Sequence, residues 1–350
     1  MDESTDLYDD AFEEGIQNWH LLVLNAAIRR DPVLQAILLL PEATQACADY
    51  GRARYLGILS TDEVFERYRL CFAAKDAMDA EGYWHAAPWN EWAEKWVHAA
   101  AELALRNLCL DDPRARPDLS FYRTPRVIQA AAAAKRGTLA WGSHPLVKYG
   151  ELKYLLPSLR NGTFRISPAS SYDDPSLNVA RRDAELERRL TDAAFETTAT
   201  LGPQGDNLSD EERSLYSTAV RSAVDFYIFC VAGGYQLRLF DDFDANACLV
   251  ITDSFRFLSR MKEAVAEMLL GWHYGNALVR YIDPVQHLAG RNAVDRQSFS
   301  PFFCKHYRYH YQNEIRIAWL PPTPISQGHP LEHLFVTLGS LEDYCEIVEL

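Results

Sequence analysis

The amino-acid sequence predicts an α+β protein in two parts, a helical domain over residues 1–135 and a mixed domain over residues 141–350. Apolar residues recur at spacings of three and four through residues 11–110, which is the pattern of helices that bury one face. After about residue 140 the pattern changes to short apolar or alternating runs between helical segments. These runs keep no steady strand–helix–strand rhythm, which favours α+β over a doubly wound parallel sheet.

Proline and polar capping residues divide the first part into helices. Pro32 separates two apolar sets, and Pro41 is expected to end the helix that contains the second. Polar residues at 60–63 predict the start of a helix, and a further helix is expected over residues 89–110. Residues 113–126 hold three prolines and four arginines, so we predict that they link the two parts.

The second part is predicted to mix short strands with helices. Seven apolar or alternating runs are predicted strands: residues 146–149, 163–167, 226–231, 247–252, 278–282, 307–320 and 334–338. Four segments with helical spacing are predicted helices: residues 152–159, 180–200, 209–223 and 255–270. Asn161 and Gly162 form a pair that favours left-handed backbone, and we expect them to end the first of these helices.

The composition excludes several functional classes. The chain has 35 basic and 49 acidic residues, and its net charge of −14 argues against a broad grip on nucleic acid, which needs an excess of Lys and Arg. No apolar run approaches the roughly 20 residues of a membrane span. Residues 1–14 are acidic and lack the basic segment of a signal peptide, and the seven cysteines form no C-x-x-C pair. We therefore expect a cytoplasmic protein with reduced thiols and no membrane partner.

The most informative stretch is the predicted strand at residues 307–320, where polar and apolar residues alternate. Gln312, Glu314 and Arg316 fall on its polar face, about 7 Å apart in succession. Two interpretations stay open. The polar face of an antiparallel sheet is often simply in water. Alternatively, the face lines a cleft, where a carboxylate between an amide and a guanidinium can hydrogen-bond a ribose or stabilise a developing cation.

The sequence carries no pattern typical of a metal centre or a Rossmann site. His306, His310 and Glu314 share one face of the predicted strand, but they lie about 13 Å apart in succession, too far to share an ion. There is no G-x-G-x-x-G fingerprint, Walker A motif or G-x-S-x-G elbow. We therefore predict neither a metal centre nor a Rossmann-type cofactor site.

A second polar segment follows the predicted strand at residues 163–167. The strand ends at Ser167, and a loop containing Tyr172 leads to an Asp-Pro turn at residues 174–175. One interpretation is a solvated connector. The other is a binding loop, since functional residues often lie on loops at the ends of strands.

The order of these segments resembles the bacterial domain-of-unknown-function family 2971. That family has an early N-D-P-x-E stretch, matched here by Tyr-Asp-Asp-Pro at residues 172–175, and a late E-x-E-x-R strand, matched by Gln-Asn-Glu-Ile-Arg at 312–316. Lys305 matches the family's lysine upstream of that strand, and residues 239–243 stand where the family has a Met-Trp-x-x-Tyr element. The resemblance covers about residues 146–320.

The layout of that family is in turn similar to ADP-ribosyltransferases. This similarity implies a split mixed or antiparallel sheet that binds NAD as a substrate, without a Rossmann fold. It implies that Glu314 stabilises the oxocarbenium-like ribosyl cation and that Gln312 orients the acceptor. The residues that it implies for binding NAD are Lys148 or Tyr149 on the first strand, then Ser167, Tyr172 and Arg316. If the similarity holds, Tyr172 should face the same cleft as Glu314.

The function implied by the resemblance is NAD-dependent ADP-ribosyl transfer to a macromolecular acceptor, as a bacterial toxin or phage-defence effector. The helical residues 1–135 would then be the place for a cognate partner. The alternative, from a different functional class, is a non-catalytic binding or sensor protein of a defence system. In that case the polar strand face would only be solvated.

Overall fold

A computed structural model gives the fold of the protein. It describes residues 35, 38–75, 77–78, 84–85, 88–118, 120–136, 145–192, 204–209, 211–212, 217–222, 224–286, 301–322 and 331–350. Helices and antiparallel sheet both contribute, so the predicted α+β class is confirmed. Pro32 lies outside the described residues.

The helices are α1 (Pro41–Ala53), α2 (Thr61–Lys75), α3 (Glu91–Leu105), α4 (Pro125–Arg136), α5 (Leu152–Asn161), α6 (Gln204–Asn207), α7 (Arg238–Asp242) and α8 (Ser254–Ala266). The strands are β1 (Ala77–Met78), β2 (Trp84–His85), β3 (Leu146–Gly150), β4 (Thr163–Pro168), β5 (Glu187–Asp192), β6 (Ser217–Arg221), β7 (Tyr227–Ala232), β8 (Ala247–Ile251), β9 (His273–Leu278), β10 (Arg280–Ile282), β11 (Val285–Gln286), β12 (Cys304–His306), β13 (Glu314–Leu320), β14 (Leu334–Thr337) and β15 (Cys345–Glu349).

Helices α1, α2 and α3 pack around one core, which includes Leu56, Phe65 and Leu103. Helix α3 begins where the Asn90 side chain accepts hydrogen bonds from the backbone N–H groups of the second and third helical residues, at 3.0 and 3.1 Å. Pro41 begins α1, and the helix predicted to end before it falls mostly outside the described residues, so that prediction stays a prediction. Proline fits the first turn of α1, where its missing N–H leaves no hydrogen bond unmade.

A buried polar network locks these helices together. Glu102 on α3 accepts hydrogen bonds from the Tyr50 hydroxyl at 2.5 Å, from Arg54 Nε at 3.0 Å and from Arg106 Nε at 2.7 Å. One turn before Glu102 on α3, His98 Nδ1 lies 3.0 Å from the Tyr55 hydroxyl. Burial, helped by the positive charge of Arg67, lowers the pKa of His98 to about 3.

The lowered pKa of His98 should make the free energy of unfolding depend on pH. In the unfolded chain His98 is protonated below about pH 6.5, whereas in the folded protein it stays neutral. The free energy of unfolding should therefore fall by about 1.4 kcal/mol for each pH unit below 6.5. In urea unfolding between pH 6.5 and 5.0, His98→Gln should flatten this slope. His273→Gln, at an exposed position, is the control and should leave it unchanged. Equal slopes in wild type and His98→Gln would contradict this account.

The central sheet is antiparallel and runs in the order β14–β4–β7–β3–β8–β15, with β13 on the other edge of β7 and β9 outside it. One face is covered by α5 and α8, whose Phe257 packs on Phe164 with ring centroids 5.5 Å apart. The other face is covered by α4 and α7, whose Ala130 and Phe240 lie in one cluster with Tyr149. Both faces of the sheet's centre are therefore buried.

Gly162 ends α5, as predicted from the sequence. Its φ of 65° lies in the left-handed region, and its N–H bonds back to the carbonyl of Ser158 at 2.9 Å. A side chain there would also collide with the chain, because a Cβ on Gly162 would lie 2.3 Å from the Gly339 carbonyl oxygen. Glycine is required at this position for both reasons.

The two parts predicted from the sequence make several contacts. Helix α4, assigned to residues 1–135, packs on the sheet, where the Tyr235 hydroxyl donates to the Ala130 carbonyl at 3.0 Å. Val285 lies in the core of α1, α2 and α3. The boundary between residues 135 and 141 stays a prediction, although α4 belongs with the sheet by its contacts.

Three predicted elements are wrong. Residues 180–200 and 209–223 were expected to be helical, but they contain β5 and β6, which pair antiparallel from Glu187 opposite Arg221 onwards. Strand pairing supplies backbone hydrogen bonds that a weak local helix preference does not outweigh. The predicted strand at 307–320 begins only at Glu314, because residues Tyr307–Gln312 form a 3₁₀ helix.

Candidate functional site

The central sheet splits beside β7. Strand β4 pairs with β7 at Ile228, and β3 pairs with it at Ala232. Among the described strands, neither pairs with β7 between those two residues. The carbonyl of Cys230 lies in this gap and accepts a hydrogen bond of 2.8 Å from Lys148 Nζ. The split therefore places a lysine ammonium where a strand would otherwise continue.

Strand β13, on the opposite edge of β7, places two charged residues beside the split. Glu314 pairs with Ala232 and Arg316 with Cys230, so their side chains share one face of the sheet. Ser167 pairs with Ile228 and lies on the same face. Glu314 is 6% exposed and Arg316 is fully buried.

These side chains belong to a closed network of hydrogen bonds, which we call the Glu314 cluster: Glu185, Lys305, Gln312, Glu314 and Arg316. The two oxygens of Glu314 accept from Arg316 Nε at 3.0 Å and from Lys305 Nζ at 3.1 Å. Arg316 also holds Glu185 at 2.8 Å. The network thus pairs two carboxylates with two cations.

Gln312 and the backbone of Glu314 are fixed by further contacts. Gln312 Oε1 accepts from Lys305 Nζ at 2.9 Å, and its Nε2 donates to the Ala180 carbonyl at 2.9 Å. The N–H of Glu314 donates to the Tyr281 hydroxyl at 2.7 Å. Just before it, Asn313 adopts a left-handed φ of 42°, which turns the chain from the 3₁₀ helix into β13.

The opposite charges of the cluster keep one another ionised. Burial alone would raise the pKa of Glu314, but Lys305 and Arg316 outweigh it and hold that pKa well below its usual range. Burial would lower the pKa of Lys305, and Glu314 with Glu185 raises it instead. Glu314, Lys305 and Arg316 are therefore charged at neutral pH, in spite of their burial.

Ser167 and Tyr172 lie beside the cluster, although Tyr172 is 142 positions from Glu314 in the sequence. The chain leaves β4 and turns through a 3₁₀ helix, Ala169–Asp173, which brings the Tyr172 hydroxyl back to hydrogen-bond Ser167. Burial raises the pKa of Tyr172, and the nearby charge of Glu314 raises it further. The structure thus brings Ser167 and Tyr172 beside the Glu314 cluster, whereas the Lys148 side chain lies at the split on the other face of the sheet, with its Nζ 4.6 Å from the centroid of the Phe229 ring.

Tyr149 does not join them. Its hydroxyl accepts from the N–H of Gln236 at 2.5 Å, and its ring packs edge-on against Phe240 with centroids 5.0 Å apart. Of the two first-strand residues that the sequence left open, Lys148 lies at the split and Tyr149 belongs to the packing beneath α4 and α7.

The cluster is buried under residues 174–185, which we call the covering loop. The Tyr309 hydroxyl lies 3.1 Å from two carbonyls of this loop, and the loop's Asn178 donates to the Asp242 carbonyl at 2.6 Å. The interpretation that this polar face is in water is wrong, because the loop covers it and supplies Ala180 and Glu185 as partners that the sequence pattern did not reveal. The interpretation that it lines a cleft stays a prediction.

Several residues of the site were not predicted from the sequence. Glu185 stands in a charge-rich run that resembles a solvent-facing helix, so nothing local marks it as a buried partner of Arg316. Tyr281 and Cys230 lie in apolar runs typical of core strands. One sequence feature pointed to Lys305 as a site residue: it matches the lysine upstream of the late strand in the family that the sequence resembles.

The expectations about a metal centre and a membrane span can be compared with the described residues. There, no group of three or more His, Cys, Asp or Glu residues is placed to hold a metal ion. His306 accepts from the N–H of Arg308, and His310 packs against Trp92 with ring centroids 5.0 Å apart. No helix among the described residues has the length and apolar character of a membrane span.

Comparison of the chain with protein-family models, with curated proteins and with solved structures finds no match.

Proposed function

We propose that this protein transfers ADP-ribose from NAD to a macromolecular acceptor, with the nicotinamide-bearing ribose at the split in the sheet. One observation carries the proposal: Ser167, Tyr172 and Glu314, from distant parts of the sequence, lie on one face of an antiparallel sheet that is split, with Lys148 at the split. In this reaction the bond between nicotinamide and ribose breaks, and its electron pair leaves with nicotinamide. The acceptor then bonds to the ribosyl carbon and loses a proton to solvent.

Glu314 would stabilise the positive charge that develops on the ribose. Its carboxylate is ionised at neutral pH, and a negative charge in a site without water interacts strongly with a developing cation. Gln312 would orient the acceptor, and Ser167 with Tyr172 would brace the nicotinamide side. Because Glu314 is 6% exposed, substrate entry would need the covering loop to move.

The experiment is incubation with NAD labelled in its ADP-ribose part, together with bacterial lysate. We expect nicotinamide release and transfer of label to macromolecules. Tyr172→Phe, which removes the hydroxyl bonded to Ser167, should slow both by about tenfold. Tyr274→Phe is the matched control, since that hydroxyl bonds only Asn276 among the described residues. No release of nicotinamide by the wild type would refute the proposal.

A second candidate is a non-catalytic binding or sensor protein. It is favoured by the saturation of Glu314, whose two oxygens are both held by cations. In that case NAD, if bound, would raise the melting temperature without any release of nicotinamide. The role in a toxin or defence system and a partner at residues 1–135 belong to the proposal of ADP-ribosyl transfer and follow from the family resemblance. The proposed cytoplasmic location follows from the odd and scattered set of cysteines.

A further inference from the structure

The covering loop is tied together at its base. The N–H of Asp183 donates to the Tyr172 carbonyl at 3.0 Å, so the chain entering the loop and the chain leaving it lie side by side. We call residues 174–182, beyond this bond, the outer loop. Compact surface loops with joined ends are often functional, and such a loop can move without displacing the elements on either side of its base.

The outer loop holds its own shape through hydrogen bonds between its residues. The N–H of Ser176 donates to the Asp174 carboxylate at 2.8 Å. Further along, the N–H groups of Arg181 and Arg182 donate to the Asn178 carbonyl at 3.0 and 2.8 Å. None of these bonds involves the rest of the protein, so the outer loop can move as one piece without losing them.

Little apolar surface fastens the outer loop to the rest of the protein. Of its residues, all of which the structure describes, only Ala180 is buried, and the neighbouring Val179 is 71% exposed. Segments with few buried apolar contacts open locally while the core stays folded, because opening them exposes little apolar surface to water.

Hydrogen bonds to backbone carbonyls are what anchor the outer loop. Its Asn178 and Arg181 side chains donate to the carbonyls of residues 242 and 243. In the opposite direction, the Tyr309 hydroxyl lies 3.1 Å from two carbonyls of the outer loop. Water can replace each of these partners when the loop moves out, so each bond holds the loop only weakly.

The outer loop lies directly on the Glu314 cluster. Gln312 Nε2 donates to the Ala180 carbonyl at 2.9 Å. Tyr309, whose hydroxyl contacts the outer loop, also covers Lys305, whose Nζ lies 4.7 Å from the centroid of the Tyr309 ring. Outward movement of the loop would therefore uncover Gln312 and release the ring that covers Lys305.

We infer that the outer loop is a lid, which swings out from its base at Tyr172 and Asp183 while the rest of the protein stays folded, and which controls access to the Glu314 cluster. The opening itself does not depend on any reaction. If NAD is the substrate, which rests on the function proposed above, the closed lid is an inhibited state. The KM for NAD is then raised in proportion to the scarcity of open molecules.

The lid is tested by labelling a thiol placed under it. Ala180→Cys puts a thiol at the buried position of the outer loop, and Cys248, which is fully buried in β8, reports global unfolding in the same molecule. Both thiols are alkylated with iodoacetamide and located by mass spectrometry. We expect the thiol at position 180 to react at least about 10²-fold faster than that of Cys248, because only the lid has to open.

Tyr309→Phe should raise the labelling rate at position 180 about fivefold, the usual effect of losing one hydrogen bond that holds the closed state. Tyr227→Phe is the matched control, since its hydroxyl donates at 2.9 Å to the Glu332 carbonyl, away from the lid. Melting temperatures check that each variant is folded. If Ala180→Cys does not fold, the native Cys230, whose thiol hydrogen-bonds Glu314, gives the same comparison between wild type and Tyr309→Phe.

The outcomes separate the lid from the proposed reaction. Equal labelling rates at position 180 and at Cys248, or no response to Tyr309→Phe, would overturn the lid. The expected labelling without any release of nicotinamide would keep the lid and refute ADP-ribosyl transfer. If NAD is turned over, Tyr309→Phe should lower its KM about fivefold at unchanged kcat. An unchanged KM, in spite of faster labelling, would overturn the control of access by the lid and keep the reaction.

Discussion

Glu314→Gln is expected to abolish nicotinamide release from NAD and, at the same time, to destabilise the fold. The substitution keeps the shape of the side chain but leaves Lys305 and Arg316 buried with Glu185 as the remaining carboxylate in the cluster. Removing one member of a buried ion pair typically costs 3–5 kcal/mol, so we expect about that loss in urea unfolding. Loss of the negative charge beside the ribosyl cation should lower turnover by about 10²-fold or more.

A second variant separates the two effects. Combining Glu314→Gln with Lys305→Met removes one charge of each sign, so the double variant should regain much of the lost stability. It should still release no nicotinamide, because the carboxylate is absent. A double variant that is stable and keeps turnover would remove Glu314 from the mechanism. Wild-type stability in Glu314→Gln itself would contradict the charged network.

The elements that the sequence predicted correctly are those whose signals are local. Helix α5 is marked by its apolar spacing and by the Asn-Gly pair that ends it, and β4 by alternation over a few residues. Strands β7 and β8 are continuous apolar runs and lie at the buried centre of the sheet. In each of these elements the local pattern agrees with the final environment.

The elements that the sequence missed depend on distant partners. β5 is rich in charge, and it is a strand because β6 and β11 pair with it. Polar and apolar residues alternate over 307–320 except at Asn313, and the left-handed turn at that residue divides the stretch into a 3₁₀ helix and a strand. Asparagine is enriched at such positions, but one polar residue in an alternating stretch is too weak a signal to predict a turn.

In the candidate site, too, the contacts between residues close in sequence were predicted and those between distant residues were not. Gln312, Glu314 and Arg316 were expected to lie together, and they do, but Gln312 arrives through the 3₁₀ helix and not along the strand. The link between Glu185 and Arg316 spans 131 positions. The path of the covering loop in the folded protein brings this pair together, so the pair cannot be predicted from spacing along the sequence.

Another buried ion pair connects the helical core to the strands beside the site. Arg67 on α2 holds Asp283 through both ends of its guanidinium, with Nη1 at 2.6 Å from Oδ1, and the two residues are 2% and 8% exposed. Burial alone would raise the pKa of Asp283, but Arg67 outweighs it and keeps that pKa below its usual value. Asp283 follows β10, whose Tyr281 accepts the hydrogen bond from the N–H of Glu314.

Asp283→Asn should therefore lower the free energy of unfolding by about 3–5 kcal/mol, because it leaves Arg67 buried without its counter-charge. The matched control is Glu66→Gln, since Glu66 on the same helix pairs with Arg308 at 3.2 Å at the surface, where an ion pair contributes at most about 1 kcal/mol. Both pairs join α2 to the second part of the chain, but only the pair with Asp283 is buried. Urea unfolding at neutral pH measures both, and equal small losses would show that the pair with Asp283 does not hold the two parts together.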